Sequence, residues 1–377
     1  MAKLGDIATY INGYAFKPQD WSDEGIPIIR IQDLTGNSYQ ANRYNGEYAS
    51  KYEVNDGDVL ISWSASLGVY IWHGEKAVLN QHIFKVVFDK ERISKDFFVH
   101  QVGLILENAA SDAHGAIMKH LTKPVFDALP FYLPPYKKQC EIAEVLDKVT
   151  SLISLRKQQL AKLDELVKAR FVEMFGDFEV NPKEFPVYHL CELCDVGSSK
   201  RIYQEEQSIS GIPFLKVADL NELIDTGKYL CSTFIPLERY EQLLHKELTP
   251  KENDILITSR GTLGKCYIVQ SDDEFYFQDG MISWLSNLSP KVSSIYISYL
   301  FAQPYIQKQI ESLQAGSTVA YLSIAMLKKM NVILPPKKLQ DDFATFVEHV
   351  DQQKQTVQQS LEKLELMKKA LMQEYFG

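Results

Sequence analysis

Two long stretches of the chain place their apolar residues on one face of a helix. After Pro134 and Pro135 no glycine or proline follows until Gly176, and the apolar residues recur mostly every third or fourth position. About 35 residues at 1.5 Å each predict a rod of roughly 50 Å. The apolar positions of this first stretch are Ile142, Val145, Leu146, Val149, Leu152, Ile153, Leu160, Leu163, Leu166, Val167, Phe171 and Met174. Those of a second stretch, which Lys354 and Lys368 interrupt, are Phe343, Val347, Val350, Val357, Leu361, Leu364 and Leu371.

The sequence in front of each long helix has a different pattern. Short apolar runs at 59–61 and 255–257 lie between Gly, Asp and Asn residues, which is typical of strands bounded by turns. Helical spacing is found among them at 95–110 and 293–313. Each region therefore predicts a mixed α+β globule.

The two halves of the chain are copies of one unit. Four pairs of blocks occur in the same order, and a shared order across four blocks indicates duplication rather than chance. The pairs are GIPIIRIQDL (25–34) with GIPFLKVADL (211–220), GDVLISWSASLG (57–68) with NDILITSRGTLG (253–264), GAIMKHL (115–121) with GSTVAYL (316–322), and LPPYKKQ (133–139) with LPPKKLQ (334–340).

The duplication predicts four segments: globules at 1–132 and 181–333, and long helices at 133–180 and 334–377. A rod of that length cannot bury its apolar stripe on one small globule, so we expect the two helices to pair as an antiparallel coiled coil with a pseudo-two-fold axis. Polar residues within the stripes, such as Arg156, Gln159 and Lys354, would set its register. The alternative is that each helix lies on its own globule.

Composition narrows the class of protein. The net charge of −9 argues against unassisted binding to nucleic acid, so any DNA contact must come from local clusters and partner subunits. No apolar run reaches the length of a membrane span, and the N-terminus lacks the pattern of a secretory signal. Five scattered cysteines fit a reduced protein. We expect a cytoplasmic protein that does not enter a membrane.

The sequence resembles the DNA-specificity subunits of type I restriction–modification enzymes over essentially its whole length. The most specific match is LPPYKKQCEIAEVLDKV with RKQQLAKLDELVKARFVEMFGD, a pattern that recurs up to the terminal FG. Further matches are LGDIATYINGYAFK, GIPIIRIQDL, NDGDVLIS and GAIMKHL followed by LPFYLPP. Each block alone is weak, but all of them in order, twice, are specific.

The resemblance implies a non-catalytic role. Two target-recognition domains would each read one half of a split, asymmetric site in double-stranded DNA, and the paired helices would fix the unread spacer. The chain would scaffold two modification subunits, which methylate adenine with S-adenosylmethionine, and restriction subunits, which translocate and cut DNA with ATP and magnesium. This chain itself would hold no cofactor.

Four pairs of segments are candidates for DNA contact. Lysine and arginine beside Gly or Ser can approach phosphate, arginine can bind guanine through two hydrogen bonds, glutamine pairs with adenine, and aspartate accepts from cytosine. The residues after the opening strands are Tyr14, Lys17, Lys200 and Arg201. Those in the central loops are Ser62, Trp63, Ser64, Thr258, Arg260, Thr262 and Lys265, and those in the following turns are Gln81, His82, Gln278 and Asp279. Those in the block before each long helix are Lys119, His120, Ser317, Thr318 and Tyr321. Solvated turns, loop hydrogen bonds and, for Trp63, a place in the core are the alternatives.

Catalysis by this chain finds little support in the sequence. LPPY at 133–136 has leucine where the adenine-methylase tetrapeptide needs a polar residue, and TSRGTLGKC lacks the spacing of a phosphate-binding loop. Cys191 and Cys194 form a lone CxxC, too little for zinc. Two other functions remain open: a recognition subunit for a fused nuclease–methylase chain, and a coiled-coil scaffold that does not bind DNA.

Overall fold

The computed structural model describes residues 1–36, 42–64, 66–112, 122–313 and 320–377. The chain divides into two compact units. Unit 1 comprises Met1–Gln159 and Val357–Gly377, and unit 2 comprises Leu160–Thr356. Within the described ranges, no helix combines the length and the apolar character that crossing a membrane requires.

The first half of the chain contains ten strands and five α-helices in its described part. The strands are β1 (Ala2–Lys3), β2 (Thr9–Asn12), β3 (Ile26–Ile29), β4 (Arg43–Tyr44), β5 (Glu53–Val54), β6 (Val59–Ser62), β7 (Gly68–Ile71), β8 (Ala77–Leu79), β9 (Ile83–Val87) and β10 (Pro130–Phe131). The helices are α1 (Leu4–Ile7), α2 (Ile31–Leu34), α3 (Lys95–Asp112), α4 (Lys123–Asp127) and the long α5 (Tyr136–Phe175).

The second half contains nine strands and six α-helices in its described part. Its strands are β11 (Val187–His189), β12 (Asp195–Gly197), β13 (Ile212–Leu215), β14 (Phe234–Ile235), β15 (Ile255–Thr258), β16 (Cys266–Ile268), β17 (Tyr276–Phe277), β18 (Ile282–Ser286) and β19 (Asn331–Ile333). Its helices are α6 (Val217–Thr226), α7 (Leu237–Leu244), α8 (Ser294–Phe301), α9 (Pro304–Leu313), α10 (Ile324–Lys328) and the long α11 (Lys337–Phe376).

The sheets confirm the duplication that the sequence predicts. Unit 1 has an antiparallel sheet in the order β2-β9-β6-β7, and unit 2 has one in the order β12-β18-β15-β16. In each unit a second sheet contains one parallel pair, β3 with β8 and β13 with β17. A short two-stranded ribbon joins the start of each globule to the strand before its long helix. It consists of β1 and β10 in unit 1 and of β11 and β19 in unit 2. The predicted runs at 59–61 and 255–257 are the central strands β6 and β15.

One helical prediction was only partly right. The pattern at 95–110 is a single helix, α3, but the pattern at 293–313 is divided into α8 and α9. Pro304 begins α9, and its missing backbone N–H and fixed φ suit a first helical position rather than the interior of a continuous helix.

The two long helices each contain 40 residues, about 60 Å at 1.5 Å per residue, somewhat longer than the pattern predicted. Within unit 2, Nζ of Lys354 lies 2.5 Å from Oδ1 of Asp164, and the rings of Phe343 and Phe171 lie 5.3 Å apart. Within unit 1, Lys157 and Glu365 form a 3.1 Å ion pair. In unit 2 the residue number rises along α5 as it falls along α11, so the helices pair antiparallel, as predicted.

The aromatic residues that end the long helices pack in the same way in each unit. Phe376 of α11 lies 5.4 Å from the ring of Phe97, the third residue of α3. In unit 2, Phe175 of α5 lies 5.1 Å from the ring of Tyr296, the third residue of α8. The recurrent aromatic-Gly ending of the sequence therefore seats the end of one long helix on the first turn of a globule helix.

Part of the predicted apolar stripe on α5 is exposed. Ile142, Leu146 and Val167 are buried, but Val145, Leu152 and Leu166 are 37%, 43% and 47% exposed. These three residues are spaced at multiples of seven, so they form a second stripe on α5. Periodicity alone cannot separate the two stripes, because both have helical spacing.

Candidate nucleic-acid interface

Three of the predicted segments of unit 1 meet at one edge of its four-stranded sheet. β2 ends, β9 begins and β6 ends at this edge, because neighbouring strands of the sheet run antiparallel. Backbone hydrogen bonds join Gly13 N–H to Ile83 O at 3.1 Å, Gln81 N–H to Tyr14 O at 2.8 Å and Trp63 N–H to His82 O at 3.2 Å. We call the segments 13–17, 62–64, 66–68 and 80–82 edge 1.

Edge 1 presents aromatic and basic side chains. The Tyr14 ring is 38% exposed and lies edge-on to Tyr52 at 5.5 Å. Nζ of Lys51 lies 4.8 Å from the centre of the Tyr52 ring, and we count Lys51 and Tyr52 with edge 1 because Tyr52 contacts Tyr14. Lys17 is exposed, and its backbone N–H donates to Asp20. Lys51 and Tyr52 were not among the predicted residues, although a lysine beside an aromatic ring is a pattern that suits nucleic-acid binding.

Other predicted residues of edge 1 are engaged within the chain. Ser62 is buried, and its hydroxyl donates to the carbonyl of Ser66. Trp63 stacks on Phe84 at 5.6 Å, and its indole N–H donates to Asn12 at 3.3 Å. Ser64 is buried, and the ring of His82 lies 5.1 Å from that of Trp63. Lys119 and His120 lie outside the described residues.

Unit 2 brings its corresponding segments together in the same way. Ser259 N–H donates to Met281 O at 2.9 Å, and Leu322 N–H donates to Ser259 O at 3.0 Å. The hydroxyls of Ser198 and Ser199 donate to carbonyls of the facing segment, Ile282 O at 2.9 Å and Phe277 O at 2.6 Å. We call the segments 198–201, 258–265, 278–282 and 320–322 edge 2.

Arg260, Lys265 and Tyr321 surround the central loop of edge 2. Arg260 is exposed, and its guanidinium carbon lies 5.3 Å from the centre of the Tyr321 ring. The Lys265 ammonium donates to both carboxylate oxygens of Asp225, at 2.6 and 2.7 Å. The Thr258 hydroxyl is buried and donates to the carbonyl of Thr262, whose side chain is exposed. Ser317 and Thr318 lie outside the described residues.

The opening segment and the turn of edge 2 contact each other through polar side chains. The backbone N–H of Lys200 donates to the phenol oxygen of Tyr276 at 2.8 Å, and burial raises the pKa of Tyr276 to about 12. Nε of Arg201 donates to Oδ2 of Asp279 at 2.8 Å, which raises the pKa of the guanidinium. The backbone N–H of Gln278 donates to Leu215 O at 2.9 Å, which fixes the backbone of the turn.

The two cysteines of the CxxC pair in unit 2 differ in exposure. Cys194 is buried, its Sγ lies 3.5 Å from Leu190 O, and burial raises the pKa of its thiol to about 12. Cys191 is exposed. Among the described residues, no group of three or more His, Cys, Asp or Glu side chains is placed to hold a metal ion.

The two edges therefore have the same backbone framework and different side chains. Edge 1 carries aromatic rings with lysines, whereas edge 2 carries two arginines, one of them against an acid. Such surfaces can bind the same polymer backbone and prefer different bases, because phosphate contacts position a protein while side chains at base edges specify the sequence. The direct role of each residue in DNA contact remains a prediction.

Comparison with known proteins places the chain in a family. A family model described as "Type I restriction modification DNA specificity domain" matches it twice, at residues 1–165 and 182–366. The type I restriction enzyme EcoBI specificity subunit of Escherichia coli is 24% identical over 92% of this chain and 78% of its own length. A putative type I restriction enzyme specificity subunit of Haemophilus influenzae is 29% identical over 83% of this chain and 80% of its own.

Solved structures show the same fold. A type I restriction–modification S subunit from M. genitalium matches all of this chain and 95% of its own length, with a TM-score of 0.60 at 14% identity. A chain from a study of complex assembly and conformational transition of the type I system matches with a TM-score of 0.56 at 14% identity, over 100% of this chain and 99% of its own. The two matches of the family model coincide with the two copies that the sequence and the sheets reveal. The chain belongs to the type I restriction–modification DNA specificity family.

Proposed function

We propose that this chain is the DNA sequence-specificity subunit of a type I restriction–modification complex, and that each unit reads one half of a split site. The observation that carries the proposal is the pair of edges: two copies of one backbone framework that present different side chains. A duplicated reader with identical side chains would favour a symmetric site. Different side chains at edge 1 and edge 2 favour an asymmetric one.

The acidic composition of the chain fits a reader that works with partners. With a net charge of −9, this chain is not suited to supply most of the phosphate contacts, which carry much of the affinity for DNA. Partner subunits that contact the backbone would supply them. The chain would then determine where the complex binds, through a small number of base contacts.

The exposed apolar stripe on α5 supports a partner surface. Leucines and valines in an exposed row along a helix favour packing against a further helix, because burial of apolar area is the main gain in such association. In unit 1 the stripe includes Val145, Leu152 and Leu155, and Leu366 of α11 is 68% exposed as well. In unit 2, Leu166 of α5 is 47% exposed. We assign this stripe to two modification subunits.

Catalysis would reside in the partners. The modification subunits would transfer a methyl group from S-adenosylmethionine to adenine, and restriction subunits would use ATP and magnesium to translocate and cut DNA. This chain would hold no cofactor of its own and would act in the cytoplasm. The five free cysteines agree with a reducing compartment.

The test is a map of methyladenine in host DNA, by single-molecule sequencing, with and without the gene for this chain. We expect a split, asymmetric motif that disappears when the gene is deleted and returns when it is restored from a plasmid. A motif that persists unchanged after deletion would contradict the proposal. Purified chain that methylates or cuts DNA alone would contradict the non-catalytic role.

The long helices should determine the length of the unread spacer. α5 and α11 pass from one unit to the other at Gln159–Leu160 and Thr356–Val357, so four residues inserted at both points leave the contacts within each unit in place. Four helical residues add about 6 Å. We expect both half-words to be kept and the gap between them to grow by about one or two base pairs at 3.4 Å each.

Methyladenine mapping of this double insertion measures the gap directly. The matched control is a four-residue insertion after Lys228, outside the regular elements of unit 2, which should leave the gap unchanged. An unchanged gap in the double insertion, with both half-words still read, would rule out the helices as the ruler.

A further inference from the structure

The backbone that leads to Arg201 is held in place on three consecutive residues. The buried hydroxyl of Ser199 donates to Phe277 O at 2.6 Å, and the neighbouring Ser198 hydroxyl donates to Ile282 O at 2.9 Å. The N–H of Lys200 donates to the phenol of Tyr276, which is fully buried. Three bonds to one facing segment fix where the Arg201 side chain begins.

The far end of the same side chain is also fixed. Nε of Arg201 donates to Oδ2 of Asp279 at 2.8 Å. The Arg201 side chain is 64% exposed, whereas that of Asp279 is 19% exposed. A guanidinium carries five N–H donors in one plane, and Nε accounts for one of them. The bond to Asp279 therefore orients the plane without using the two terminal nitrogens.

We propose that Asp279 is a positioning residue, and that it aims the terminal nitrogens of Arg201 at a guanine in the half-site that unit 2 reads. This inference rests on the proposed function. It changes two assignments made from sequence, in which Arg201 contacts phosphate and Asp279 reads cytosine. An acid that already accepts from an arginine is poorly placed to accept from a base as well, whereas a fixed fork matches O6 and N7 of guanine.

Unit 1 lacks this pair. Arg201 stands ten residues before Gly211 in the GIP block, and the residue ten positions before the corresponding Gly25 is Ala15. Ala15 has no side chain that could contact a base by hydrogen bonds. The effect of removing Arg201 or Asp279 should therefore be confined to one half-word.

The experiment maps methyladenine in cells that express the full chain with its modification partner. Arg201→Ala and Asp279→Ala should each lose preference at the same base pair of one half-word, with discrimination there reduced roughly tenfold or more. Asp279→Asn should keep most of the preference, because its amide oxygen can still accept from Nε. The double variant should be no worse than Arg201→Ala. Glu252→Ala, which removes another exposed carboxylate of unit 2, should leave the motif unchanged.

Three outcomes would overturn the inference. Unchanged preference in Asp279→Ala would show that it does not aim Arg201, and additive losses in the double variant would show that Asp279 contacts DNA itself. The third outcome comes from binding assays of the purified complex. If Arg201→Ala lowers the affinity equally for every duplex, and reduces the slope of log affinity against log salt concentration by about one, Arg201 contacts a phosphate.

Failure of this inference differs from failure of the proposed function. If the wild-type chain yields no methyladenine motif, the proposed function fails and this inference with it. If the motif is present and remains intact in Asp279→Ala, only the inference about the Arg201–Asp279 pair fails. The thermal unfolding of the purified variants should stay close to that of the wild type, because an ion pair whose arginine is 64% exposed stabilises the fold little.

Discussion

Gly211→Ala is expected to lower the free energy of unfolding of unit 2 by about 3–5 kcal/mol, from backbone strain and overpacking together. Gly211 has φ of +127°, and a Cβ placed there would lie 2.4 Å from the carbonyl oxygen of Ile235. Ile235 pairs with Ile212, the next residue, in the β13–β14 ladder. The methyl group would therefore force apart the two strands that start the second sheet.

Unit 1 has the same close contact between a positive-φ glycine and a backbone carbonyl, so a corresponding prediction applies to Gly25→Ala. Gly25 has φ of +99°, and its Cβ would lie 2.2 Å from the carbonyl oxygen of Tyr44. Tyr44 pairs with Ile26, the residue after the glycine. The G-I-P block that recurs in both copies is thus explained by geometry: a glycine passes close beneath a neighbouring carbonyl, and the strand begins directly after it.

Two other glycines of unit 2 separate the contributions to this effect. Gly227 has φ of +70° with no atom within 4 Å of a Cβ, so Gly227→Ala should cost about 1 kcal/mol for the conformation alone. Gly197 has open space and no positive φ, so Gly197→Ala should be tolerated. Hydrogen exchange over 212–215 and 234–235 measures the result. Equal protection in Gly211→Ala and Gly197→Ala would contradict the close approach.

The architecture was predictable because the sequence contains two copies of the same unit. Four ordered pairs of blocks gave the duplication, and the helical spacing after each Pro-Pro gave α5 and α11. Periodicity says which residues share a face, but it does not say how much of that face a neighbour covers. Val145 and Leu146 obey the same spacing, yet one is exposed and the other is buried.

The sequence predicted which segments form the candidate site better than it predicted which of their side chains are available to bind DNA. The segments that follow β2, β6 and β8 were identified from sequence, and backbone hydrogen bonds bring them together. Which side chains remain available depends on partners distant in sequence. Lys265 binds Asp225, forty residues away, and Arg201 binds Asp279, seventy-eight residues away. Local sequence carries no signal for such pairs.

Gln340→Leu is expected to lower the free energy of unfolding of unit 2 by about 2–4 kcal/mol, because it leaves buried polar groups unpaired. Gln340 is completely buried, and its side chain accepts from Ser293 N–H at 2.9 Å and donates to Lys291 O at 3.1 Å and Pro335 O at 2.7 Å. It therefore joins the start of α11 to the residues just before α8. Leucine has a similar size but satisfies none of these groups.

The corresponding glutamine of unit 1 makes the same connection. Gln139 is 1% exposed, accepts from Ser94 N–H at 3.0 Å and donates to Pro134 O at 2.8 Å. The last residue of each LPP block is thus a buried polar link between globule and long helix, which explains why both blocks end in glutamine. Gln139→Leu should destabilise unit 1 by a similar amount.

Urea unfolding followed by hydrogen exchange separates the two units and tests both variants. Gln355→Leu is the matched control, because Gln355 is exposed on the same helix as Gln340, and it should change stability by no more than about 0.5 kcal/mol. Gln340→Leu should expose the first turns of α11 and the start of α8 together, since one side chain joins them. Loss of protection in α11 alone would mean that the helix and the globule are held together by apolar packing and not by this hydrogen-bonded link.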